Sequence, residues 1–137
     1  MNRQPLWAAY GLAAVVFLAL DSLWLSTMAP RLYRPKLGHL MADELVWPAA
    51  VLFYALYLLG VVVFTVRPGL QAASTAVSLR HGALFGLIAY ATYDLTNQAT
   101  LRDWPWLVTA VDLVWGATVT GISAGVTTWW LLRRTRR

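Results

Sequence analysis

Three aspartates lie inside apolar runs, Asp21, Asp94 and Asp112, and each has aromatic or amide side chains at helical spacing. An ionisable group at membrane depth is costly, so such residues face a bundle interior and mark candidate functional sites. Side chains three or four residues apart share a helix face. That rule groups Asp21 with Trp24, Asp112 with Trp115, and Asp94 with Tyr90 and Asn97. Tyr93 stands beside Asn97, and Tyr54 and Tyr57 form a matching pair on an uncharged run. If these faces meet, they enclose a mostly aromatic pocket with a few convergent polar groups, the form of a ligand site. The expected ligand-binding set is therefore Asp21, Trp24, Tyr54, Tyr57, Tyr90, Tyr93, Asp94, Asn97, Asp112 and Trp115. Burial and mutual repulsion favour the neutral, hydrogen-donating form of at least one carboxyl. Tyr54 and Tyr90 are the expected donors to whichever carboxylate stays ionised. The competing reading makes the three aspartates structural, hydrogen-bonded to Tyr, Trp and Thr across helices.

The elements that position these residues follow from composition. Hydrophobic residues make up 59% of the 137 and charged residues 12%, against roughly a half and a quarter in soluble domains. A single domain of this length cannot hide so much apolar surface from water, so lipid is the expected solvent. Four runs are long enough to cross about 30 Å of hydrocarbon as helices. They are approximately 6–28, 45–66, 75–99 and 104–132. The expected fold is all-α: one polytopic membrane domain over 1–137, a four-helix transmembrane bundle with short loops.

The loops carry readable punctuation. Ala29-Pro-Arg-Leu-Tyr-Arg-Pro-Lys36, with two prolines, is expected to end the first helix at an interface. Asp43-Glu44 is placed at the start of the second helix, where the macrodipole favours negative charge. Arg67-Pro-Gly69 is expected to stop that helix. Asp103 before Trp104-Pro105 reads as an acidic N-cap for the fourth. The first run lacks a small-x-small cleavage pattern and reads as a retained membrane helix rather than a leader.

Basic residues set the orientation. Arg3, Arg67, Arg80, Arg133, Arg134, Arg136 and Arg137 fall on one side, and Arg31, Arg34, Lys36 and Arg102 on the other. The excess predicts both termini in the cytoplasm. Asp21 lies seven residues before Met28, Asp94 five before Ala99, and Asp112 eight after Trp104. At 1.5 Å per residue, the three carboxylates reach one depth, roughly 8–12 Å below the outer edge.

Several other features are excluded or read structurally. The +5 charge sits in loops and the C-terminal tail, with no basic stripe between exposed aromatics, so nucleic acid is not an expected partner. The tail is expected to meet anionic membrane lipid. There is no cysteine, which removes disulfides and thiolate chemistry. His39 and His81 fall on opposite sides of the membrane, and no metal or cofactor is expected. Gly121-Ile-Ser-Ala-Gly125 matches a hydrolase nucleophile pattern, but that pattern needs a strand-to-helix turn and this one lies within a helix. Together with Gly82-Ala-Leu-Phe-Gly86 it reads instead as a small-residue packing face. Gly121 and Gly125 point roughly opposite Asp112, so they are expected to meet another helix, a second copy or another subunit.

The most specific stretch is Tyr90-Ala-Thr-Tyr-Asp-Leu-Thr-Asn-Gln-Ala-Thr-Leu-Arg-Asp-Trp-Pro-Trp106. With Asp21-Ser-Leu-Trp24, Phe53-Tyr-Ala-Leu-Tyr57 and Asp112-Leu-Val-Trp-Gly116, it resembles the bacterial integral-membrane family known as domain of unknown function 2177. The resemblance covers nearly the whole chain and implies a four-helix membrane protein without an assigned activity. The residues therefore carry the functional argument. The first expectation is an inner-membrane protein with an outward-side Asp/Tyr/Trp pocket for a small or lipid-like molecule. The second is a lipid-modifying enzyme with one Asp as general acid or base. The third is an accessory subunit of a larger membrane complex. No single catalytic residue is singled out.

Overall fold

A computed structural model of the chain describes residues 5–137, which contain helices and no strand. Arg3, counted above for orientation, lies outside the described residues. Helix α1 spans Leu6–Met28 and continues through a π-helical turn at Ala29–Tyr33, the short α2 at Arg34–Leu37 and a 3-10 turn at Gly38–Leu40. Helix α3 spans Trp47–Val61 and passes through a second π-helical turn at Val62–Val66 into α4, Arg67–Gln71. Then come α5, Thr75–Thr100, and α6, Trp106–Thr135. Three of these stretches, Leu6–Leu40, Trp47–Gln71 and Trp106–Thr135, are long and apolar enough to cross a membrane.

The prolines do not end helices as expected. A proline inside a regular α-helix clashes with the carbonyl four residues earlier and cannot donate to it. In both places the helix widens to a π turn, the usual local adjustment that keeps a membrane helix going past proline. Pro30 sits inside the first π turn, and Pro68 follows the second. Pro68 leaves the Phe64 carbonyl without its helical donor, and His81 Nδ1 of α5 donates to that oxygen at 3.3 Å. The expected stops at 29–36 and 67–69 are therefore helical continuations.

Two starts also differ. Asp43 and Glu44 lie in the loop before α3, which begins at Trp47 with Pro48 in its first turn. Asp103 is not the N-cap of α6. It takes a left-handed backbone conformation (φ 59°) in the turn, and Pro105 occupies the N-cap. A short polar side chain is one of the few that tolerates that conformation. Ser74 caps α5 by accepting from the Val77 amide.

Lipid tails are as apolar as leucine, so helices in a membrane associate through close packing and polar contacts. Small residues provide that packing between α5 and α6, the most extensive interface of the fold. A Cβ on Gly86 would strike the Gly116 carbonyl, and one on Gly82 would lie 2.7 Å from the Thr120 carbonyl oxygen. Partners recede along α6 as they advance along α5: Ser78 with Thr128, Gly82 with Ala124, Gly86 with Gly116. The two helices are antiparallel. Gly121 and Gly125 are buried against Leu79 and Ala83 of α5. Of the occupants expected for that face, another helix of the same chain is the one these contacts supply.

The core behind this interface holds Ala9, Ala13 and Phe17 of α1 with Tyr57, Leu58, Val61, Val62 and Val66. Large apolar side chains cover the outside, including Trp7, Val15, Leu52, Leu56 and Phe64. An exposed surface of that kind suits hydrocarbon rather than water.

Candidate functional site

A cavity of about 500 Å³ opens between α1, α3, α5 and α6, within the range of roughly 300–1,000 Å³ usual for small-molecule sites. Each helix contributes through a pair of residues one turn apart. From α1 come Asp21 and Trp24, from α3 Tyr54 and Tyr57, from α5 Tyr90 and Tyr93, and from α6 Asp112 and Trp115. Asp94 and Asn97, expected on the same wall, do not line it. Asp94 is fully buried behind Asp112, and Asn97 is half-buried nearer the end of α5. Asp21 and Asp112 thus share the cavity, and the third carboxyl supports one of them from behind.

Each cavity carboxylate is held by neutral donors. Tyr54 donates its hydroxyl to Asp21 Oδ2, and Trp115 Nε1 donates to Asp21 Oδ1 at 3.3 Å. Tyr33 donates to Asp112 Oδ1 at 2.5 Å while its own oxygen accepts from Trp24 Nε1 at 3.0 Å. Trp24 and Trp115 stack with ring centroids 4.3 Å apart and planes 5° from parallel, a contact worth about 0.5–1.5 kcal/mol beyond burial. The rings therefore join the two carboxylates into one framework. Tyr57 is buried and exchanges a hydrogen bond with Thr120 at 2.7 Å. Tyr90, an expected donor, reaches the cavity without a hydrogen bond among the described residues.

Both oxygens of the Asp94 carboxyl are buried without a hydrogen-bond partner among the described residues, and Asp112 of α6 is a close neighbour. A carboxylate can only accept, so Asp112 in that form offers Asp94 no donor.

Tyr33 was not among the expected site residues, because 29–36 read as an interfacial loop. In a regular α-helix the nine residues from Trp24 to Tyr33 make about two and a half turns and put them on opposite faces. The π turn advances each residue by a smaller angle and narrows that offset, and the two long side chains bridge the rest. The two prolines were the available signal. A second polar chain also went unread: Trp104 Nε1 donates to Thr109, which donates to Gln98, whose amide donates to the Trp104 carbonyl. It locks the α5–α6 turn and stands apart from the cavity.

Two other expectations concern chemistry elsewhere. Ser123 is fully buried within the continuous α6, which leaves no exposed nucleophile on a turn. Among the described residues no three His, Cys, Asp or Glu side chains gather as a metal site.

The model of the family described as "Predicted membrane protein (DUF2177)" matches residues 6–129. The chain belongs to that family. Its match takes in every residue of the cavity and leaves out the basic end of α6. No curated protein and no solved structure matches the chain. The DUF2177 membership establishes a membrane protein, and its description assigns no activity.

Proposed function

We propose that this DUF2177 protein crosses the bacterial inner membrane four times, with both termini cytoplasmic, and binds a small or lipid-like molecule in the Asp21–Asp112 cavity. The observation that carries the reading is the cavity itself: two fixed carboxylates in an aromatic wall whose edge is apolar surface. Leu25, Met41, Phe53 and Tyr93 line it and are each about half exposed. An amphiphile in the bilayer would enter past these side chains and present its polar end to the carboxylates.

The fourth crossing is α5, the least apolar of the long helices. Its 26 residues span about 39 Å. Arg80 and His81 near its start and Thr92, Thr96 and Thr100 towards its end are exposed. Four of its small or polar residues are turned inward: Ser78, Gly82, Gly86 and Asp94 are all buried. A membrane helix is allowed such a face when its neighbours cover it.

A lipid-modifying enzyme is the second reading, supported by Asp112, which reaches the cavity with a second carboxyl, Asp94, buried beside it. In that reading Asp112 is the general acid or base.

Filling the cavity tests the binding reading. Ala89 lines it, so Ala89→Trp should remove any molecule that wild-type protein retains through purification in mild detergent. Native mass spectrometry should show a discrete adduct on the wild type and bare chain for the variant. An adduct kept equally by a folded Ala89→Trp would place the molecule elsewhere.

A further inference from the structure

We infer that the ligand carries an organic cation, an ammonium or quaternary ammonium group on an apolar body. This rests on the proposed reading of the cavity as a ligand site and names the class of molecule.

The wall holds Asp21 and Asp112 and no Lys, Arg or His. The groups that fix those carboxylates, Tyr33, Tyr54 and Trp115, are neutral donors. They orient the negative charge without cancelling it. Basic residues of the adjoining turn, Arg31 and Arg34, are exposed and lie off the wall. Negative charge in a low-dielectric site is costly unless a counter-charge accompanies it. An anionic ligand would add repulsion, and a neutral one would leave the charge unbalanced. A cation completes the site.

The aromatic lining selects the kind of cation. Ring faces are negative, and a cation within about 6 Å of a Trp or Tyr face is attracted, most strongly when desolvated. The stacked Trp24–Trp115 pair leaves one outer face on each indole. Tyr57 and Tyr90 add further rings. A compact, strongly hydrated metal ion would need several oxygen ligands; two carboxylates separated by indoles do not supply them. A weakly hydrated alkylammonium needs only charge and ring faces. The apolar mouth then takes the body of the molecule.

Three probes of one chain length test this with full-length protein in the uncharged detergent dodecyl maltoside. They are decyltrimethylammonium, decyl sulfate and decanol, each titrated while tryptophan fluorescence is read. The ammonium should give a saturable change at about tenfold or more lower concentration than either of the others. Asp21→Asn and Asp112→Asn should each narrow that preference by a similar factor. Should either variant fail to fold, the order of the three probes on the wild type still decides. Equal affinity for all three, or preference for the sulfate, would overturn the cationic ligand while leaving a ligand site. No saturable change with any probe would remove both readings.

Discussion

Asp94 and Asp112 depend on each other. A buried polar group without a partner costs about 1–3 kcal/mol, and both Asp94 oxygens are buried without one among the described residues, with Asp112 close by. An asparagine at position 94 has its own N–H to donate towards Asp112, so Asp94→Asn should keep the packing intact. Asp94→Ala should open a void behind Asp112. Thermal melting in detergent should place Asp94→Asn near the wild type and Asp94→Ala lower by about 1–3 kcal/mol. Equal melting of the two variants would show that Asp94 makes no polar contribution beside Asp112. At this scale much of the site was legible in the sequence. Asp21 with Trp24 and Asp112 with Trp115 are i, i+3 pairs on uninterrupted helix, where spacing alone fixes the shared face. Tyr33 was hidden because a π turn changes the angular period, and Asp94 was misplaced by one layer. Spacing gives the face of a helix and not how deeply the neighbouring helix covers it.

The helices meet where side chains are absent. The Gly86 site has no room for a methyl group, because the Gly116 backbone occupies it, whereas a Cβ at Gly125 would make an ordinary contact 3.4 Å from Leu79. Gly86→Ala should therefore cost about 1–3 kcal/mol, as overpacking does. Gly125→Ala should change stability by no more than about 0.5 kcal/mol. Melting temperatures in one detergent would check the contrast, and an undisturbed Gly86→Ala would mean that α5 and α6 are less closely apposed. The small-residue motifs marked these faces in the sequence. They did not reveal the partner, since glycine records close approach and not the identity of what approaches. Single residues decide some helix ends, as Ser74 does for α5. The ends were misread at Pro30 and Pro68, where the helix widens and His81 supplies a missing donor.

At the scale of the whole molecule, orientation and the number of crossings rest on charge and length. The absence of cysteine allows single reporters at Lys36, Gln71, Arg102 and Arg137. A membrane-impermeant thiol reagent should label positions 36 and 102 in intact cells, and 71 and 137 only after permeabilisation. Labelling of 71 and 102 from the same side would mean that α5 does not cross. The proposal that an amphiphile reaches the carboxylates from lipid is tested by a photo-crosslinking amino acid at Phe53 on the cavity mouth, against one at Val126, exposed on α6 away from it. After irradiation in membranes, mass spectrometry should find one defined adduct at position 53, lost in Ala89→Trp, and a mixture of bulk lipids at position 126. The same mixture at both positions, unchanged by filling the cavity, would contradict a ligand site between Asp21 and Asp112.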